Sequence, residues 1–177
     1  LLAGLIFNFK EFFVVALVNN KPITRMALDR ELEKQAGSSA LENMVMKTLI
    51  EQEGKKKNIN VTSADIDQKI QEIEKQLSGQ SLDTILASRG QTRKDLTDQI
   101  KIQIIVEKLL ADQVNISDEE ITKYFTDNKT SFPKGATLEG TKEEIKEILY
   151  QQKMSEVFGS WSEKLKNEAK ITYFLKL

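Results

Sequence analysis

The sequence predicts a mainly α fold: a multi-helix lobe, a long C-terminal helix, and a small two-stranded sheet that pairs the N- and C-terminal segments. Three observations carry this. Residues suited to helix N-caps recur at Thr24, Ser39, Thr62, Thr92, Ser117 and Thr141, each just ahead of apolar residues at helical spacing. Only Val14–Val18 and residues 171–174 read as strands, from β-branched and aromatic runs. Strands and helices do not alternate and no fixed-period repeat is visible, so neither a βαβ sheet nor a solenoid is expected. A lone strand leaves its backbone groups unpaired. The two segments are therefore expected to pair and bring the chain's ends together.

The elements follow in order. Residues 1–9 are almost uncharged and are expected to be the end of a signal or membrane-anchor segment, with Lys10, Phe12 and Phe13 at its interface; domain boundaries on this reading are 1–13 for the membrane-proximal segment, 14–130 plus 141–177 for one helical domain, and 131–140 for a connector. Nine apolar residues cannot span a bilayer alone, which takes about 20. After Val14–Val18, Asn19-Asn20-Lys21-Pro22 is turn chemistry, and Thr24 caps a helix over 25–36 that Gly37 ends. Ser39-Ala40-Leu41-Glu42 has the capping-box pattern and opens a helix to about residue 57. Thr62 opens 63–77, with Ile66, Ile70, Ile73 and Leu77 at helical spacing. A short helix over 82–89 is closed by Gly90, and Thr92 opens the most apolar helix, 93–113. Ser117 caps a helix bearing Ile121, Tyr124 and Phe125. Pro133, Gly135 and Gly140 mark the connector, and Thr141 caps the last helix, to about residue 168.

Composition excludes much chemistry. Lys plus Arg number 26 against 27 Asp plus Glu, so no basic field draws nucleic acid and no nucleic-acid partner is expected. Lys55-Lys56-Lys57 lies at a helix C-terminus, where cations suit the dipole. The chain has no cysteine and no histidine, which rules out disulfides, thiolate metal sites, imidazole bases and Ser-His-Asp triads. Neighbouring carboxylates, such as Asp65/Asp67, Glu72/Glu74 and Glu119/Glu120, are too close in sequence to face one another on a helix. No phosphate-binding glycine loop occurs. No cofactor, metal or catalytic residue is expected, and the protein reads as a non-enzyme. The Asn60-Val61-Thr62 and Asn128-Lys129-Thr130 sequons carry no further implication.

VALVNNKPIT, VTSADIDQKI, LDTILASRGQTRKDLTDQIKIQIIVEKLL and NISDEEITKYF together resemble the N-terminal chaperone domain of the SurA and PrsA foldases. In that family a strand and the phrase VNG-x-PIT lead into the helical lobe; here Asn20 stands for the glycine, and it tolerates positive φ. The likeness covers residues 15–125, and the terminal helix with ITYF resembles the segment that returns to complete the same domain. Relatives place a parvulin-type isomerase domain between those parts. Here that place is the ten-residue stretch 131–140, too short for a domain of ~50 residues.

The resemblance implies a membrane-anchored, extracytoplasmic holdase that shields unfolded or newly exported polypeptides without ATP and without prolyl isomerisation. A non-catalytic structural or assembly module of a membrane-associated complex is the alternative. A homodimer is a further possible partner state that the sequence leaves open. Helix 93–113 is apolar over so much of its circumference that one edge is a candidate client surface: Ile102 and Val106, with Met44, Met46 and Ile85 nearby, or else a hollow by the terminal helix bearing Phe158 and Trp161.

Overall fold

The computed structural model describes residues 13–77 and 79–174. The chain divides into two compact units, Leu1–Met46 with Lys170–Leu177, and Lys47–Ala169. The helical class, the long last helix and a two-stranded sheet are all present, but the sheet is built differently from the expectation.

In the first unit, β1 (Val14–Val18) pairs antiparallel with β2 (Lys21–Thr24), Val18 opposite Lys21 and Leu17 opposite Pro22. Residues 171–174 form no strand, so the predicted pairing of the two ends does not occur. The reason is local. Asn19 and Asn20 both take positive φ, 47° and 64°, the combination that a two-residue type I′ hairpin turn requires. Closing that turn orders far less chain than closing a loop of some 150 residues. The C-terminal segment reaches the helix Ser38–Lys56 instead: the Tyr173 hydroxyl donates to Glu42 Oε1 at 3.4 Å.

Thr24 caps α1 (Arg25–Leu32), its Oγ1 accepting from the Ala27 amide at 3.2 Å. The helix does not stop at Gly37. It widens into a π-helical turn, Glu33–Gly37, and continues as α2 (Ser38–Lys56). Leu32, Glu33 and Ser38 all keep right-handed helical angles, so the expected Ser39 capping box has no helix end to cap.

The second unit holds the core. Beyond α2 it contains α3 (Ser63–Gln76), α4 (Leu82–Ser88), α5 (Arg93–Leu110), α6 (Asp118–Asp127) and α7 (Leu138–Glu168). Capping boxes form at Thr62, Thr92 and Ser117 as the sequence indicates. Helix α5 ends three residues early, passing into a 3₁₀ turn, Ala111–Gln113. Helix α7 starts before Thr141: Thr137 is the N-cap, accepting from the Gly140 amide at 3.2 Å, and Thr141 lies inside the first turn with its hydroxyl donating back to Thr137 O.

All ten buried core side chains among the described residues belong to this unit, from Ile50 through Ile100, Ile104 and Leu110 to Ile145. Gly54 lets α2 approach α5 closely; a Cβ there would stand 2.8 Å from Ile105 Cγ2. Lysines tie elements together at the rim. Lys108 meets Asp65 at 2.8 Å and donates to Asn60 O, and Lys153 meets Glu120 at 3.1 Å and donates to Asn115 O.

Candidate functional site

Burial divides the two units sharply. In the first, no described residue of β1, β2 or α1 is buried. Every large hydrophobic side chain found exposed among the described residues lies there too, including Phe13 (66 %), Leu17 (66 %) and Met26 (64 %). Isolated exposed apolar residues are ordinary, but a set confined to one small unit is the signature of an interaction surface.

Helix α1, the π turn and the start of α2, with Phe13 and Thr24 beside them, shape this surface into a hollow of about 880 Å³. Its apolar lining comes from Phe13, Met26, Leu32, Ala36 and Ala40. The π turn sets the last part of that lining, because its i→i+5 turn holds more residues than an α turn and so changes which residues follow Leu32 along the helix face. Arg25, Asp29, Arg30 and Glu33 stand around it, two charges of each sign. The hollow thus offers apolar contact ringed by balanced charges. Among the described residues no cluster of three or more acidic, His or Cys side chains is placed to hold a metal ion. Among the same residues, no helix is long and apolar enough to cross a membrane; the anchor expected over residues 1–9 lies outside the described residues.

The residues singled out by the sequence fall in both units. Met44 is exposed and Met46 half-buried, both in the first unit. Ile85, Ile102 and Val106 are half-buried in the second. Ile102 lines a smaller hollow of about 380 Å³ with Lys47, Asp95, Asp98 and Gln99. Phe158 and Trp161 are half-buried and stacked at a tilt, ring centroids 5.9 Å apart. A third hollow, about 570 Å³, holds Tyr150 beside Glu143 and Glu147. Burial, with the Glu107 carboxylate near it, pushes the Tyr150 phenol up.

Met26, Leu28 and Leu32 are apolar positions of the helix expected over 25–36, but their spacing does not tell a covered face from a bare one. One signal did point to a bare face. Val14–Val18 is apolar at every position, and a sheet of only two strands has no second layer to cover both faces.

The profile of the SurA-like N-terminal domain matches residues 3–110. The chain belongs to that family. Among sequence relatives, this SurA-like domain is 29% identical over 115 residues to YacD of Bacillus subtilis (strain 168), named as a candidate peptidyl-prolyl cis-trans isomerase. That match covers 65% of this chain and 37% of YacD. It is 32% identical over 97 residues to the foldase protein PrsA of Caldanaerobacter subterraneus, covering 53% of this chain and 27% of that one. The SurA-like chain thus spans about a third of the length of these relatives. Its fold is that of PrsA from Bacillus subtilis, with a TM-score of 0.57 at 17% identity, covering 92% of this chain and 95% of the other. PrsA from Bacillus cereus gives 0.58 at 13%, covering 93% and 95%.

Proposed function

We propose that this SurA-like chain is an ATP-independent holdase that binds unfolded or newly exported polypeptides, and that its first unit carries the gripping surface. The observation that supports this most directly is the confinement of exposed large apolar side chains to that unit, around an open hollow. Such a surface binds by burying apolar side chains, at roughly 25 cal/mol per Å². It has little side-chain specificity, as a client range of unfolded chains demands. The flexible Met26 and Met44 suit varied partners. Met46, Ile85, Ile102, Val106 and the Phe158–Trp161 pair are secondary contact candidates under the same reading. We place the activity on the extracytoplasmic face of a bacterial membrane; the apolar run over residues 1–9, read as an anchor, supports that placement.

Prolyl isomerisation is not part of the proposal. Ten residues, 128–137, separate α6 from α7, too few for an inserted catalytic domain. An imidazole is also missing from the whole sequence.

The test is light scattering from an unfolded model client. The chain should suppress aggregation without ATP at stoichiometric excess and leave the isomerisation rate of an X-Pro peptide unchanged. Met26→Asp and Leu32→Asp should lose most of the protection while moving the denaturant midpoint little, because both side chains are already exposed. Undiminished aggregation with the unaltered chain, or full protection by both variants, overturns the reading.

A further inference from the structure

The link between α5 and α6 borders the hollow that holds Tyr150, within the second unit. It is short and held at three points. The Val114 side chain is buried, the Lys153 ammonium donates to Asn115 O at 2.6 Å, and the Ser117 amide donates to the Glu120 carboxylate at 2.8 Å. Residues 114–117 belong to neither helix nor strand, so no ladder takes up the rest of their backbone. The amides of Asn115 and Ile116 and the carbonyls of Val114 and Ile116 bond to no other described residue. The other wall of the hollow is α7, with Glu143, Lys146, Glu147 and Tyr150 along one face at helical spacing. Their neighbours on the same helix are paired, Lys142 with Asp118 at 2.9 Å and Lys153 with Glu120 at 3.1 Å. Glu143, Lys146 and the Tyr150 hydroxyl form no hydrogen bond or ion pair with a described residue, and Glu147 is met only by Gln151, at 2.7 Å. Donors, acceptors and charges thus converge on one hollow from two walls without answering one another.

We propose that this hollow is a second polypeptide site, which takes an extended segment carrying a basic side chain. It rests on the holdase reading for the source of that segment, a client, and on nothing in the first unit. Three features select the occupant. A polypeptide laid beside Asn115 and Ile116 brings both the acceptors and the donors that their free backbone groups need, as in strand addition at a sheet edge. Glu143 to Tyr150 covers about 10 Å of helix, or roughly three residues of extended chain. Two carboxylates stand with one ammonium along that wall, so a client lysine or arginine is favoured over an acidic side chain. Tyr150 suits the same occupant: its ring can lie against an alkyl stem or guanidinium, and its hydroxyl can donate to a main-chain carbonyl. The two units then engage different parts of an unfolded chain. The first covers apolar side chains, and the second answers the polar backbone and its cations.

The probes are short capped peptides of alternating valine and arginine, or of valine and glutamate, titrated into the full chain and followed by amide chemical shifts. The arginine peptide should move the Asn115 and Ile116 amides saturably, with a Kd below about 1 mM. The glutamate peptide should bind at least tenfold more weakly. Glu143→Lys, at an exposed position, should reverse that order. An arginine peptide N-methylated along its backbone has lost its main-chain donors and should also bind at least tenfold more weakly. Met26→Asp should leave all these titrations unchanged, which separates this site from the hollow along α1. Failure of the unaltered chain to suppress client aggregation would remove the holdase reading while leaving the peptide titration as it stands. Absence of a saturable shift at Asn115 and Ile116, equal binding of the two charged peptides, full affinity for the methylated one, or undiminished arginine-peptide binding by Glu143→Lys overturns the proposal.

Discussion

Gly54 shows how one residue sets the spacing of two helices. Alanine is the better helix former by about 1 kcal/mol, so propensity alone makes Gly54→Ala stabilising. The added Cβ would instead meet Ile105 Cγ2 at 2.8 Å, inside a packed core. We expect a net loss of about 1–2 kcal/mol, read as a lower urea midpoint, with partial recovery in the Gly54→Ala, Ile105→Val double variant. Single carboxylates carry the pH dependence. Hydrogen bonds hold Asp65, Asp95 and Glu120 below the usual carboxylate range: from Lys108 and the Thr62 amide, from the Thr92 hydroxyl and amide, and from the Ser117 amide and Lys153, respectively. A folded pKa below the unfolded value favours folding when the group is ionised. The stabilisation is complete above the unfolded pKa and is lost as pH falls through the folded one. The melting temperature should therefore drop between about pH 5 and pH 2. Replacing the three by Asn, Asn and Gln should flatten that dependence and lower the neutral-pH value.

At the scale of elements, caps were the most legible signal. At Thr62, Thr92 and Ser117 the whole device sits within four residues, and each formed as written. The same pattern misled at Ser39, because a π turn absorbed Gly37 without ending the helix, and a helix interior has no free amides for a side chain to cap. It misled again at Thr141, where Thr137 reached the first free amides ahead of it. The hairpin was missed because Asn19-Asn20-Lys21-Pro22 reads as turn chemistry throughout, yet Lys21 and Pro22 open β2, and Pro22 stands opposite Leu17 where a strand edge tolerates proline. Two element-level outcomes follow. Asn20→Ala should weaken the hairpin by about 1 kcal/mol, since alanine resists positive φ; Asn20→Gly should not. Faster amide exchange of Val18 and Lys21 in the alanine variant would register it. Deleting Gln35 should turn the π stretch into plain α-helix. Circular dichroism and client protection should both hardly change, because the π stretch holds one residue more than the α turn it becomes and its removal leaves the residues beyond it facing as before.

Across the whole molecule, the class and the helix order were readable because apolar spacing is local information. The division into a unit with a core and a unit whose described residues hold no buried apolar core was not. An apolar stripe in the sequence is the same whether another element covers it or water does, and Met26 and Ile104 look alike until packing separates them. The division has a measurable consequence in native-state hydrogen exchange. Amides of α5, which carries Ile100, Ile104, Ile105 and Leu110, should be protected up to the global stability. Those of β1, β2 and α1 should exchange through smaller openings, several kcal/mol cheaper. Equal protection in both units would show that the first is held by more than its own contacts.

The bare apolar face of the first unit also changes how the protein will behave under the dyes used to follow unfolding. Fluorophores such as ANS brighten on exposed hydrophobic surface, which usually marks a loosened, partly unfolded state. Here the native fold already displays that surface at Phe13, Leu17 and Met26. A bright signal at room temperature will accompany intact near-ultraviolet dichroism, and a dye-based melt will begin from a high baseline. The brightness itself becomes a titratable readout: a bound client should quench it while the protein stays folded.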